Sequence, residues 1–366
     1  MEKDVGYRTV QSAGRGSFII SLPKKWTQEV GIGKGSQIAI KIMEDMSLIM
    51  VPRVIEEKRI AKGIRRPREF CIKINQRSDP DSVCRRLISL YAAGSELIHL
   101  SFKGTENKKE FRTAVANLVK NLLLGTEVIE ETAEEMTLQV LINHPELPIE
   151  KAIRRMASLS LSAHKDAIAA LGNLDKDLEH NIYETKTDVD RINLYVVRQL
   201  KFGIEQNLFR DWGFKNSKEC LGYRLVANDI KNIAENALNI GKNMKTLRRL
   251  IEDKLLFLKD FVDEEAYTQI EDFSSLAEQL FEESLESLSK RDYEQADRII
   301  SRIESFLMLE NDLLTLMFNK KMDPNLLSIY RLVLDNSRRI VEYSREIAEV
   351  TLNKTVEEIS SVLPCV

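Results

Sequence analysis

A tetrapeptide of sequence Tyr-Arg-Leu-Val occurs twice in the C-terminal half of the chain, first at 223–226 and again at 330–333. Both copies stand in stretches where apolar residues recur with helical spacing, so the repeat predicts a duplicated helical segment. Helix start and stop signals divide this half into six predicted helices. We expect them at 148–172, 175–208, 217–246, 248–289, 292–321 and 325–352, grouped as two three-helix bundles over 147–247 and 248–354.

The first 53 residues have a different pattern. Short runs of β-branched and aromatic residues, separated by glycine-containing turns, predict four strands, with a short helix after Pro23 between the second and third. So small a segment buries little surface alone, which predicts that a second copy completes its core. The apolar face that we expect to be buried comprises Phe18, Ile20, Leu22, Ile38, Ile40 and Ile49.

Between these regions lie a basic linker, 54–68, and a predicted small α/β domain, 69–146. In this domain the order is strand, helix, strand, helix and two strands, and a strand-helix-strand succession implies a parallel pair. Its role is open between a ligand pocket, a second dimer interface and a spacer. The fold class is therefore multidomain α+β, mainly α.

Charge is distributed unevenly along the chain. The net charge is −3, but residues 1–68 carry fourteen Lys or Arg against seven Asp or Glu, so the remainder is strongly acidic. A basic head on an acidic body is expected if one end contacts a polyanion. No apolar run is long enough for a membrane span, and no signal peptide is evident, which predicts a cytoplasmic protein without membrane insertion.

Motifs for catalysis are sparse. A carboxylate-bridged di-metal oxidase needs two helical Glu-x-x-His motifs, whereas the single instance here, Glu96 to His99, falls in a predicted strand. No P-loop is present, because the glycines at 31–35 lack the required spacing. Four scattered cysteines indicate neither a disulfide framework nor a zinc site. These observations argue against an enzyme.

The head resembles the AbrB/SpoVT swapped-hairpin family through the segments at 8–11, 14–24, 30–36 and 47–52, which occur in the family's order. The resemblance implies a homodimer whose interleaved hairpins form one β-barrel and whose basic side chains bind DNA. Carried over by position, the DNA-contact residues are Arg8, Arg15, Lys24 and Lys25. Arg and Lys neutralise phosphates, so we expect backbone positioning more than base readout.

The helical region, from about 148 to 352, resembles PhoU, the regulator of phosphate uptake, in its duplicated three-helix plan and in the segment 224–235. PhoU proteins often hold metal clusters on carboxylates spaced i, i+4. Glu184 and Asp188 keep this spacing, and Asp229 is a third candidate, although Leu225 replaces its acidic partner and Asn336 its equivalent in the second repeat. These carboxylates could hold iron, zinc or another divalent metal, or simply form a solvated helix face.

Together the resemblances imply an archaeal type of phosphate uptake regulator. We expect a DNA-binding transcriptional regulator with a helical sensor or partner-docking domain, and a phosphate ABC transporter component or signalling protein as a further partner. The alternative is an adaptor that modulates the transporter, with a head that only dimerises. In the repeated motif, we expect Leu225 and Leu332 to face the core, and Arg224 and Arg331 to lie beside acids of neighbouring helices.

Overall fold

The computed structural model describes residues 7–14, 16–42, 48–53, 68–142, 147–173, 176–206, 209, 212–255, 264–320 and 322–360. The chain divides into two compact units, Met1–Pro67 and Arg68–Val366. The mainly α, multidomain α+β class predicted from the sequence is confirmed. Most of the predicted linker, 54–67, lies outside the described residues.

The first unit contains the predicted order of strand, strand, helix, strand, strand. Its elements are β1 (Gln11–Ser12), β2 (Phe18–Ile19), α1 (Lys24–Val30), β3 (Ile38–Ile42) and β4 (Leu48–Pro52). β1 pairs with β2, and β3 pairs with β4, as two antiparallel hairpins. Gly14 and Gly16 have φ of 69° and 90°. These left-handed conformations favour glycine and allow the tight turn between β1 and β2.

The second unit begins with a four-stranded sheet. Its elements are β5 (Glu69–Asn75), α2 (Pro80–Ala92), β6 (Leu97–Gly104), α3 (Lys108–Asn121), β7 (Thr126–Glu131) and β8 (Glu135–Val140). The strand order is β5-β6-β8-β7. β5 and β6 are parallel, as the strand-helix-strand succession predicts, and β8 pairs antiparallel with both of its neighbours. Apolar residues of α2 and α3 form one buried core with alternate residues of the sheet.

Six helices follow, and each is amphipathic. They are α4 (Ile149–Asn173), α5 (Lys176–Gln206), α6 (Ser217–Glu252), α7 (Glu264–Lys290), α8 (Tyr293–Asn319) and α9 (Pro324–Ile359). The apolar faces of all six helices form one continuous core. No helix in the described residues is long and apolar enough to span a membrane.

The helix α6 extends past the predicted end at Thr246, and the next helix begins later than predicted. Lys254, just after α6, has a φ of 57°, and the amide of Leu255 donates to the carbonyl of Leu250 at 2.9 Å. This 6→1 bond is the helix-ending arrangement that glycine usually provides. Because a lysine provides it here, no stop signal was visible in the sequence.

The duplication is clear in the third helix of each repeat. α6 and α9 both have 36 residues, and their caps, Asn216 and Asp323, precede the Tyr-Arg-Leu-Val motif by the same distance along the chain. Both caps accept hydrogen bonds from two first-turn amides, so the two helices start in the same way. The helices therefore match from end to end without a gap.

Contact between the α/β part and the helices centres on Arg198 of α5. Its side chain is buried, its Nη1 donates to the carbonyl of Tyr91 at 2.7 Å, and its guanidinium lies 5.0 Å from the centre of the Tyr91 ring. Since a buried guanidinium needs acceptors and benefits from an aromatic face, this contact fixes the C-terminus of α2 against α5.

We expect Arg198→Met to lower the free energy of unfolding by about 1–3 kcal/mol, because it removes a charge-assisted hydrogen bond and the ring contact while keeping the apolar stem. Urea denaturation measures the change. Lys201→Met, at an exposed position of the same helix, is the matched control and should be neutral. Equal stabilities for the two variants would contradict the assigned role of Arg198.

Candidate nucleic-acid interface and polar sites of the helical region

The predicted DNA-contact residues lie in the first unit. Arg8 and the first two residues of α1, Lys24 and Lys25, are exposed to solvent. Arg8 Nη1 donates to the carbonyl of its neighbour Tyr7 at 3.3 Å, and within the described residues none of the three side chains is part of an ion pair. Arg15 lies outside the described residues.

The apolar side chains of the head are exposed in a single copy. Phe18 is 77% exposed, Ile40 61% and Ile20 45%, whereas Leu22 and Ile38 are half-buried. The placement of the Ile49 side chain lies outside what the structure describes. No residue of α1 is buried either. One copy of the head thus lacks a core of its own among its described residues.

In the repeated motif, the expected burial of the leucines is wrong. Leu225 is 55% exposed and Leu332 is 48% exposed. The tyrosine and valine of each copy are buried instead, with exposures of 2% or less: Tyr223, Val226, Tyr330 and Val333. The reason is that α6 and α9 are each packed on two sides, so the buried face is set by partners from both repeats and not by a single apolar stripe.

The arginines of the motif are exposed, as their position beside the leucines implies. The positive charge of Arg331 acts on Glu310 of the neighbouring helix α8 and opposes the rise in its pKa. Arg224 acts in the same sense on Asp229 of its own helix. Arg331 therefore acts on an acid of a neighbouring helix, as expected, whereas the acid on which Arg224 acts belongs to its own helix.

The three candidate metal ligands lie in different surroundings. Glu184 and Asp188 are exposed on α5, and the carboxylate of Glu184 is 3.3 Å from His180. Asp229 is buried on α6. Within the described residues, no group of three or more His, Cys, Asp or Glu is arranged to hold a metal ion. The structure does not bring the three carboxylates into one cluster, and metal binding at Glu184 and Asp188 stays a prediction.

Asp229 forms an unusual carboxyl pair with Glu346 of α9. Burial raises the pKa of Asp229 to about 7, and the nearby Glu346 contributes to the rise. One oxygen of Asp229, Oδ2, is buried without a hydrogen-bond partner in the described residues. At the equivalent place in the second repeat, the Asn336 amide donates to the carbonyl of Leu332 at 2.7 Å. A neutral side chain is thus accommodated in one repeat, and an acid in the other.

A histidine, a glutamate and two serines meet in the core, although the sequence offered no such set. His164 Nδ1 is 2.6 Å from Glu278 Oε1, its Nε2 is 3.3 Å from Ser337 Oγ, and Ser337 Oγ is 2.9 Å from Ser274 Oγ. His164 and Ser337 are completely buried. Because His164 and Ser337 have no exposure to solvent, we assign these groups to the satisfaction of buried polar atoms across α4, α7 and α9.

A cluster of charged side chains around Glu219 was also not predicted from the sequence. Glu219 at the start of α6 contacts Lys354 near the end of α9 and Arg291 after α7. Both partners are far from Glu219 along the chain, so no local motif reveals them. A signal was available in the duplication, because the equivalent of Glu219 in the other repeat is Leu326 and the equivalent of Lys354 is Leu247. The two repeats therefore differ at both positions.

These features define a protein with a basic, β-rich head and a duplicated helical region. Residues 153–244 match the family model of the PhoU domain, and residues 11–58 match that of the MazE antitoxin, described as antidote-toxin recognition. The first match covers most of α4–α6, and the second covers most of the head. None of the curated proteins compared with the chain matches it.

Two solved structures are similar to part of this chain. The phosphate transport system regulatory protein PhoU from Streptococcus pneumoniae has 14% sequence identity and a TM-score of 0.45, with 58% of this chain and 96% of that chain covered. PhoU from Pseudomonas aeruginosa has 15% identity and a TM-score of 0.42, with 57% and 96% covered. The resemblances of the helical region to PhoU and of the head to an AbrB-like domain are confirmed by the two family matches.

We expect Asp229→Asn to stabilise the protein, and to stabilise it at pH 8 by at least about 1 kcal/mol more than at pH 5. The folded-state pKa of Asp229 is raised above its ordinary value of 3.8, so its stabilising contribution is fully present only below that pH and is lost progressively as the pH rises to about 7. Urea denaturation at both pH values measures the difference.

The control is Asp297→Asn, at an exposed position on α8, which should not change the dependence of stability on pH between these values. If Asp229→Asn is instead destabilising at pH 8, the carboxylate has a charged partner that the pair with Glu346 does not explain.

Proposed function

We propose that this protein is a DNA-binding transcriptional regulator of phosphate uptake that acts as a cytoplasmic homodimer without catalysis of its own. The match of residues 153–244 to the PhoU domain carries the link to phosphate homeostasis. The head supplies the contact with DNA, and the helical region serves as sensor or as docking site for a transporter component or signalling protein. The match of the head to an antitoxin domain is compatible with DNA binding.

Electrostatics supports the division of roles. The excess of positive charge in residues 1–68 is concentrated on the first unit, while the second unit is acidic, which disfavours its contact with DNA. Arg8, Lys24 and Lys25 are exposed and carry no partner charge among the described residues. Such side chains bind phosphates with little desolvation cost, and binding through them is sensitive to salt.

The apolar surface of the head supports the dimer. A monomeric head would expose Phe18, Ile20 and Ile40 to water, whereas interleaving with a second copy would bury them. We expect sedimentation equilibrium to show a dimer at micromolar concentration. Phe18→Asp should shift the protein toward monomer, because it places a charge in the proposed shared core. A wild-type monomer at all concentrations would contradict the dimer.

We expect the double variant Arg8→Ala/Arg15→Ala to bind duplex DNA more weakly across many sequences. The slope of log affinity against log salt should fall by about one for each phosphate that is no longer neutralised. Gel shifts at several salt concentrations measure both quantities. Loss of binding to a single sequence, with others unaffected, would instead indicate base readout.

The matched control for this experiment is Arg224→Ala in the helical region. Arg224 is exposed, and it lies outside the unit that we propose to contact DNA. Its DNA affinity should equal that of the wild type. If Arg224→Ala weakens DNA binding with its fold intact, the helical region takes part in binding. If the wild type dimerises but binds no duplex, the adaptor function is favoured and DNA regulation is rejected.

A further inference from the structure

A cavity of about 300 Å³ lies where α6 begins and α9 ends. Its lining combines apolar side chains with the polar groups of Asn216, Lys218, Glu219, Tyr223, Asn353 and Lys354. The volume is at the lower limit for ligand pockets, so the cavity suits a small ligand. The first-turn amides of Lys218 and Glu219 already donate to the Asn216 side chain, so the chemistry of the cavity is that of its side chains.

Two charged side chains are almost completely buried at the cavity wall. Glu219 and Lys354 expose 5% and 6% of their side chains, and Lys354 Nζ is 3.6 Å from Glu219 Oε2. The same Nζ donates to the Tyr223 hydroxyl at 3.1 Å and lies 4.8 Å from the centre of the tyrosine ring. Burial of an ammonium group is costly unless it is fully compensated, so these contacts hold Lys354 in place.

Glu219 is shared among several donors. Arg291 Nη2 donates to both of its oxygens, at 2.9 and 2.7 Å, and the backbone amide of Lys215 donates to Oε1 at 3.2 Å. The carboxylate is therefore occupied mainly by Arg291, which leaves Lys354 incompletely neutralised. Burial and the positive charge of Arg291 lower the pKa of Lys354.

Among the described side chains at this end of the α6–α9 pair, cations outnumber anions. Among the described residues around the cavity, the cations are Lys215, Lys218, Arg291 and Lys354, and the anions are Glu150, Glu219 and Glu358. The carboxylate of Glu358 is used by two of these cations, since it pairs with Lys215 and Arg291 at 2.5 and 3.0 Å. An anion in the cavity would bring the group to neutrality.

The second repeat shows that the fold does not need these charges. Leu326 and Leu247 stand at the positions equivalent to Glu219 and Lys354, and both are buried. Well-packed apolar residues are often as stabilising as a buried ion pair, or more so. The helix contact is thus made without charge at one end of the α6–α9 pair, and the charges at the other end are explained by a ligand better than by stability.

We propose that this cavity binds a small oxyanion, such as phosphate, sulfate or a carboxylate, through Lys354, with Lys218 at the rim. The site does not rest on DNA binding by the head. Glu219 and Tyr223 position the Lys354 ammonium, and the surplus positive charge selects for an anion. The small volume suits a small oxyanion better than a nucleotide or another large anion.

Isothermal titration of the full-length protein with phosphate, sulfate and acetate tests the proposal. The wild type should show saturable binding of at least one of them, and the comparison identifies which source of oxyanion the site prefers. Lys354→Met should weaken the affinity at least about tenfold, as expected for the loss of a charge-assisted contact. Lys242→Met, at an exposed lysine of α6, is the control and should bind like the wild type.

A second variant distinguishes loss of the anion site from loss of the fold. Glu219→Leu/Lys354→Leu copies the residues of the second repeat, so it should retain the thermal stability of the wild type and lose anion binding. Absence of saturable binding by the wild type overturns the proposal. Binding that is unchanged in both variants also overturns it, since the anion would then bind elsewhere, for example to the basic head. Gel shifts on the same samples keep the two proposals separate, because DNA binding can persist when the anion site fails.

Discussion

The antiparallel contact between α6 and α9 is the constraint on which the helical region depends. Each helix packs against the first helix of its own repeat and also against its counterpart, so two faces are buried at once. At the middle, Ile233 and Ile340, which are equivalent in the two repeats, are completely buried. At one end the Val350 side chain packs directly against Gly222, since a Cβ on Gly222 would lie 2.8 Å from Val350 Cγ1. Large residues at such a position would separate the helices and open the shared core.

Within this shared framework the two repeats have diverged in polarity. The Ser160 hydroxyl donates to the backbone of Ile230, whereas Ser274 meets the hydroxyl of Ser337, which stands at the position equivalent to Ile230. A backbone acceptor in one repeat thus corresponds to a side chain in the other. Such differences are tolerated because each of these buried hydroxyls has a partner, which is the condition for placing polar groups in a core. Charged groups at one end of the α6–α9 pair, and leucines at the other, follow the same rule.

Much of the fold could be predicted from the sequence because strands and helices have different periodicities and because the repeated Tyr-Arg-Leu-Val motif reveals the duplication. The types and order of the elements follow from these signals. The choice of which helix residues are buried does not follow from these signals, as Leu225 and Leu332 show. A helix that is packed on two sides has no single apolar stripe. Contacts such as Glu219 with Lys354 join residues far apart in sequence, and no spacing rule reaches them. The helix end at Lys254 was hidden because a lysine adopts a conformation usually reserved for glycine.

The two units differ in whether a single copy has a buried core, and this difference bears on regulation. The helical unit has a large buried core within one chain, whereas the described part of the head exposes Phe18 and Ile40. In the proposed dimer, folding of the head and association are one equilibrium, so its stability depends on protein concentration. A ligand of the helical unit would therefore change DNA affinity only if it binds monomer and dimer with different strength. Regulation through the association of two chains is thus the route that this architecture makes available, because it requires no rigid connection between the units.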